Sequence, residues 1–203
     1  ATGRPELLDV ATRFATLIRR SFEAEPSTEH PGYPGHPEVE LALVKLAKHM
    51  GERAWLDLSR RFLDRRGRRL LANHPGLPRG PFDDEYFIDD VPLRDASQGV
   101  GHAVRAAYLW AAAVDVGAQM NDAALLGAAI RVWDHIANRR MYVTGGIGSS
   151  SHNEGFTRDY DLPNERAYQE TCASIAFAGW SQRLALVTGD GRYADAVECA
   201  LMN

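Results

Sequence analysis

The sequence predicts an all-α fold in which helical hairpins stand side by side and outer helices cover inner ones. Three observations lead to this prediction. Apolar residues recur with the period of a helix along seven stretches of the 203-residue chain. Amphipathic stretches alternate with stretches that are apolar on nearly every side. Short turns of constant spacing join these stretches in pairs, and such a repeat builds either a solenoid or a closed α/α toroid.

The first predicted helix begins near Pro5, where a proline costs no hydrogen bond. Its predicted buried face comprises Leu7, Leu8, Ala11, Phe14, Ala15, Ile18 and Phe22. The other six helices are predicted near residues 37–50, 52–66, 100–120, 122–139, 167–187 and 191–202. The odd-numbered helices are amphipathic, whereas the even-numbered ones are apolar almost all round. Because a helix that is apolar on all sides is buried, the even-numbered helices are predicted to be inner and the odd-numbered ones outer.

A glycine or asparagine precedes each outer helix at a constant distance. These residues are Gly3, Gly51, Asn121 and Gly189, and each is followed four and five positions later by the first apolar pair of the helix. Both residue types suit the left-handed conformation that ends a helix. The repeating unit is therefore an inner helix, a tight turn and an outer helix.

The connections from an outer helix to the next inner helix are long. They span roughly residues 24–36, 67–98 and 140–166 and are rich in glycine, proline, asparagine and aspartate. Inner helices of such a fold run parallel, so all three loops are predicted to lie at one end, above the N-termini of the inner helices. Long loops on a rigid helical frame commonly carry function.

Five residues that can do chemistry are predicted to converge on that end, which we call the mouth. They are His36, His102, Glu154, Glu170 and Cys172. Each also has a structural interpretation: His36 as a helix-start residue, His102 as a satisfied core histidine and Glu154 as an exposed loop acid. In the structural interpretation, Glu170 is a helix-start carboxylate and Cys172 is a small buried apolar residue.

Glu170 and Cys172 form a candidate metal site because Zn²⁺ accepts both oxygen and sulfur ligands. Positions two apart do not face the same way in a regular helix. The pair can share an ion only where the backbone is irregular, just before the sixth helix becomes regular. Two ligands are also fewer than the three or four that protein zinc sites use.

Composition argues against several classes of function. The formal net charge is −4 and no basic block is present, which argues against binding nucleic acid through its phosphates. No apolar run is long enough to predict a membrane span. Only two cysteines occur, so a disulfide scaffold is excluded. The chain shows no signal-like stretch, and a free cysteine suits the cytoplasm, which is the predicted location.

Several motifs resemble glycoside hydrolase family 127, the β-L-arabinofuranosidases and their relatives. The longest are Met141-Tyr142-Val143-Thr144-Gly145-Gly146-Ile147-Gly148, Asn153-Glu154-Gly155-Phe156-Thr157, Asp159-Tyr160-Asp161-Leu162-Pro163-Asn164 and Glu170-Thr171-Cys172-Ala173-Ser174. Two further matching segments are Gly32-Tyr33-Pro34-Gly35-His36-Pro37-Glu38 and Gly99-Val100-Gly101-His102-Ala103-Val104-Arg105. The resemblance covers essentially the whole chain.

The resemblance implies an (α/α)₆ barrel followed by β-sandwich domains. It implies that Glu154 is the general acid/base, that Glu170 and Cys172 bind zinc, and that His36 and His102 line the sugar pocket. The implied reaction is retaining hydrolysis of a terminal β-L-arabinofuranoside, with a carbohydrate as the substrate partner. The implied nucleophile is a zinc-bound cysteine in a downstream Cys-Cys pair, which this chain does not contain.

Residues 1–203 are accordingly predicted to form the central part of one catalytic barrel, incomplete at both ends. Without the nucleophile the isolated chain is expected to be inactive. Opening a toroid exposes apolar inner helices, so the isolated chain is also expected to form homo-oligomers or to be poorly soluble.

Two other functions remain open from the residues. A helical-repeat module that binds a partner protein would show short, uniform connections rather than long loops bearing His and Glu. Another α/α-barrel carbohydrate enzyme, such as a sugar epimerase, would use histidines as acid and base without zinc. The pair Glu170 and Cys172 favours the zinc-dependent glycosidase.

Overall fold

The computed structural model describes residues 5–23, 25, 32–74 and 82–203. Within these residues the chain forms seven α-helices, one short 3-10 turn at Leu93–Asp95 and no strand beyond isolated bridges. The helices are α1 (Glu6–Phe22), α2 (Val39–Met50), α3 (Arg53–Arg65), α4 (Ala103–Met120), α5 (Ala123–Arg139), α6 (Thr171–Thr188) and α7 (Gly191–Met202). The prediction of an all-α fold with seven helices is confirmed.

The inner helix α4 is the centre of the fold. It packs against the two other inner helices, α2 and α6, and each inner helix packs against the outer helix that follows it. Most of its residues are buried, and the indole ring of Trp110 stacks on that of Trp180 in α6 with ring centroids 6.3 Å apart. Outer helix α5 is joined to α6 by a buried hydrogen bond from the indole N–H of Trp133 to the hydroxyl of Ser181, 2.8 Å long. The predicted alternation of inner and outer helices is therefore present.

The tight turns have the predicted backbone. Gly51, Asn121 and Gly189 end their helices with φ of 72°, 55° and 73°. Such positive values suit glycine and asparagine better than other residues. Gly3 lies outside the described residues.

Two details of the prediction are wrong. Three residues assigned to the buried face of α1 are exposed: Leu7 (78%), Phe14 (62%) and Ala11. Leu8, Ile18 and Phe22 of the same face pack against the core, and an apolar groove of ≈ 510 Å³ separates α1 from α2 in the described part of the chain. The sixth helix begins at Thr171 rather than near 167, because the preceding segment is held by a loop: the backbone N–H of Gln169 donates to the carbonyl of Gly148 over 2.9 Å.

Apolar side chains are also exposed at the other side of the fold. On α6, Ile175 and Leu186 are 57% and 80% exposed, and Met202 at the end of α7 is 79% exposed. Exposed apolar area of this kind favours association, and association of the isolated chain remains a prediction. None of the described helices combines the length and apolar character that a membrane crossing requires.

The loops at the mouth are tied to one another by buried polar contacts. The carboxylate of Asp89 is fully buried and accepts hydrogen bonds from the backbone N–H groups of Gly67, Arg68 and Leu71, at 2.7 to 3.2 Å. The hydroxyl of Tyr33 donates to the same carboxylate. Asp89 thus fixes the start of the second long loop against the end of the first.

Replacing Asp89 with alanine is expected to lower the free energy of unfolding by about 3 kcal/mol or more, because several buried donors lose their acceptor. Urea unfolding followed by circular dichroism measures this change. The control is Asp57→Ala, which removes an exposed carboxylate paired with Arg53 over 3.5 Å and should change the free energy by less than about 1 kcal/mol. Equal effects of the two substitutions would contradict the structural role given to Asp89.

Candidate active site

Glu154 is presented at the mouth by a tight loop docked on the start of α4. Ser150 and Gly155 exchange backbone hydrogen bonds of 3.1 Å in both directions, and the carbonyl of Glu154 accepts from the backbone N–H of Ala103 over 3.1 Å. Glu154 has φ of 50°, an uncommon conformation for a residue with a side chain. A Cβ on Gly155 would lie 2.0 Å from the carbonyl oxygen of Gly101, so only glycine fits beside it. The loop therefore holds Glu154 in one place.

His102 is buried at the N-terminus of α4 and faces Glu154. Its Nδ1 accepts hydrogen bonds from the backbone N–H groups of Val104 and Arg105, at 3.2 and 3.5 Å. Since Nδ1 accepts, Nε2 carries the proton and donates to Oε2 of Glu154 over 2.9 Å. Burial and the nearby charge of Arg105 lower the pKa of His102, which favours the neutral ring. The two interpretations of His102 thus hold together: it caps a helix and also belongs to the site.

Glu170 lies immediately before α6, with a backbone that is not helical (φ −54°, ψ 137°). This is the irregularity that a metal site shared with Cys172 requires. Burial and the charge of Glu154 raise the pKa of Glu170. Ligand atoms of His102, Glu154 and Glu170 all lie within 4.8 Å of one another, so the structure brings these three predicted residues together.

Tyr168 completes the surroundings of Glu154. Its hydroxyl donates to Oε1 of Glu154 over 2.9 Å, and it also interacts with Glu170. The hydrogen bond to Glu154, followed by burial and the charge of Glu170, raises the pKa of Tyr168 to about 12. The phenol therefore stays protonated and acts as a donor at neutral pH.

The two other predicted residues lie at the mouth without hydrogen-bonding to that group, as far as the described chain shows. His36 is exposed, and its Nδ1 lies 3.8 Å from a carboxylate oxygen of Glu38. Burial and the charge of Arg105 lower the pKa of His36. Cys172 is exposed, which excludes its interpretation as a small buried residue. The pKa of Tyr108 in α4 is raised first by burial and then by the charges of Glu38 and Cys172, so Cys172 lies near that phenol.

A family model named "Beta-L-arabinofuranosidase, GH127 catalytic domain" matches residues 1–203, the whole chain. The chain belongs to glycoside hydrolase family 127 (GH127). It is 39% identical over 212 residues to a non-reducing end β-L-arabinofuranosidase of Bifidobacterium longum subsp. longum, a match that covers 100% of this chain and 32% of the relative. The resemblance read from the motifs is therefore confirmed.

Solved GH127 structures have the same fold. The crystal structure of Ara127N, a GH127 β-L-arabinofuranosidase from Geobacillus stearothermophilus T6, matches with a TM-score of 0.91 and 41% identity over 100% of this chain and 33% of that one. A second GH127 β-arabinofuranosidase matches with a TM-score of 0.88 and 36% identity, over 100% of this chain and 30% of its own. These matches support the predicted partial (α/α)₆ barrel. The chain spans about a third of the length of these GH127 relatives.

Sequence reasoning missed two residues of this GH127 site. Tyr168 precedes Glu170 by two positions, but Gln169 between them has φ of 38°, so the segment is not a regular strand and no spacing rule identifies Tyr168. Arg105 follows His102 by three positions, so the two share a helix face. Its guanidinium packs over the rings of Tyr86 and Phe87, at 4.9 and 5.6 Å, and donates to the carbonyl of Gly35. Arg105 thereby joins the first two loops to α4.

The residues at the start of α6 fit part of a zinc site. Glu170 offers a carboxylate oxygen, and the adjacent charge of Glu154 makes a cation favourable there. Cys172 would offer a thiolate from the first turn of α6, two residues after Glu170, which lies just before the helix. Oxygen and sulfur are both ligands of Zn²⁺, and these two residues would supply two of the four ligands of a tetrahedral site.

Proposed function

We propose that the longer GH127 protein to which this chain belongs removes terminal β-L-arabinofuranosyl residues from a carbohydrate, with retention of configuration. The observation that carries this proposal is Glu154, a carboxylate fixed between His102 and Tyr168 at the mouth. Two relatives bear the name β-L-arabinofuranosidase, and one of them has a solved structure with the same fold, which supports the substrate class. Family membership favours a glycosidase over a binding module or an epimerase.

Glu154 acts first as an acid and then as a base. It gives its proton to the leaving glycosidic oxygen as the bond to the anomeric carbon breaks, and it later takes a proton from the water that releases the sugar. His36 and His102 bind the sugar at the same mouth. The side chain of His36 is about half exposed and can reach a sugar hydroxyl. His102 presents a neutral ring held by the first turn of α4.

Glu170 and Cys172 would hold a zinc ion at the start of α6. Bound zinc keeps a cysteine thiolate deprotonated at neutral pH. The proposed nucleophile is a cysteine thiolate outside this chain, and residues 1–203 alone are therefore expected to be inactive. A cytoplasmic location and self-association of the isolated chain stay predictions.

The test is an assay of the purified longer protein with 4-nitrophenyl β-L-arabinofuranoside. We expect turnover of this substrate and none of the α-L anomer. The acid and the nucleophile act on opposite faces of the sugar ring, and only the β-L anomer places its leaving oxygen on the side of the acid. Residues 1–203, expressed alone, should release no nitrophenol. Failure of the longer protein to cleave the β-L substrate would contradict the proposed function. Turnover by residues 1–203 alone would contradict the proposal that the nucleophile lies outside them.

A further inference from the structure

Both carboxylate oxygens of Glu154 accept a hydrogen bond, and the two donors come from different elements. Nε2 of His102, at the start of α4, donates to Oε2, and the hydroxyl of Tyr168, before α6, donates to Oε1. Each bond is 2.9 Å long. Two donors in fixed positions allow the carboxylate one orientation, which a single donor would not do.

The segment that carries Tyr168 is itself fixed. The backbone N–H of Gln169 donates to the carbonyl of Gly148, and its side-chain oxygen accepts from the hydroxyl of Thr144, both over 2.9 Å. Gly146 lies so close that a Cβ there would be 2.2 Å from that side-chain oxygen. The glycine-rich loop therefore clamps the residue next to Tyr168, and the phenol does not need to be ordered when substrate arrives.

We propose that Tyr168 is a positioning residue that orients Glu154 for proton transfer to the leaving oxygen. This inference rests on the proposed function and adds a residue to it. The hydroxyl of Tyr168 interacts with two carboxylates of the site, Glu154 and Glu170. Small errors in the placement of a reacting group cost large factors in rate. Tyr168 should therefore matter most when the leaving group needs the proton most.

The test compares the longer protein with its Tyr168→Phe variant on two substrates. Kinetics with an alkyl β-L-arabinofuranoside, whose leaving oxygen needs a proton, should show a loss in kcat/KM of about 10- to 100-fold. Kinetics with the 4-nitrophenyl β-L-arabinofuranoside, whose leaving group departs with little help, should show a loss below about threefold. KM should change little for either substrate, because Tyr168 acts through Glu154.

The matched control is Tyr142→Phe. The hydroxyl of Tyr142 donates to the carbonyl of Pro163 over 3.2 Å, so this variant loses a phenol hydrogen bond in the same loop region without touching Glu154. We expect it to leave the ratio of the two rates unchanged. A change in that ratio as large as that of Tyr168→Phe would overturn the inference.

A double-mutant cycle separates positioning from a general structural effect. In the Glu154→Ala background, Tyr168→Phe should cause no further loss on either substrate. A further loss as large as in the wild-type background, an equal loss on both substrates in the single variant, or a Tyr168→Phe protein that does not fold would each overturn the positioning role. A wild-type protein that cleaves neither substrate would instead overturn the proposed function, and the positioning role with it.

Discussion

Replacing Glu154 with alanine in the longer protein is expected to lower kcat/KM for an alkyl β-L-arabinofuranoside by about 10²- to 10⁴-fold. The reason is that, among the described residues, only Glu154 has its carboxylate held between His102 and Tyr168, where it can protonate the leaving oxygen. With the 4-nitrophenyl substrate the loss should be much smaller, because that leaving group departs without a proton. Steady-state kinetics on the two substrates measure the difference.

The control for this substitution is Glu165→Ala, in the same long loop. Glu165 is exposed, and its removal should change kcat/KM by less than about threefold on both substrates. Equal losses on the two substrates for Glu154→Ala would contradict its role as the acid, because a general defect does not depend on the leaving group.

Replacing Cys172 with serine is expected to remove most of the zinc from the longer protein. A serine hydroxyl does not ionise at neutral pH as a metal-bound thiol does, so one of the two proposed zinc ligands of this chain would be lost. The zinc content of the purified, dialysed protein, measured by atomic emission, should fall by about tenfold or more.

Cys199→Ser is the matched control for that measurement. Cys199 lies on α7, where its thiol donates to the carbonyl of Val143 over 3.3 Å. It should leave the zinc content unchanged. Unchanged zinc in the Cys172→Ser protein would count against this ligand, whereas loss of zinc from both variants would point to a general defect.

The arrangement of the helices was predictable because it depends on pattern alone. A helix such as α4, apolar on every side, has to be buried, and a glycine or asparagine such as Asn121 ends a helix at a φ of 55°. The order of inner and outer helices then places the long loops at one end. For this reason residues as distant in the sequence as His102 and Glu154 could be predicted to meet.

The details of the mouth depend on contacts that no periodicity encodes. Glu154 has a positive φ next to Gly155, which packs on the carbonyl of Gly101, and the segment before α6 is held by the hydrogen bond between Gln169 and Gly148. These long-range contacts make Tyr168 a partner of Glu154. Exposure of Leu7 on α1 likewise depends on which neighbour packs there, and a helical pattern identifies an apolar face without saying what covers it.

The most direct test of the central claim, that Glu154 is the acid/base of a retaining β-L-arabinofuranosidase, is azide rescue of the Glu154→Ala protein. Azide needs no base to attack the glycosyl-enzyme intermediate that water can no longer release efficiently. With the 4-nitrophenyl substrate, we expect azide to raise the turnover rate about tenfold or more and to yield β-L-arabinofuranosyl azide, identified by NMR. Absence of any acceleration by azide, or formation of the α-L azide, would contradict the claim.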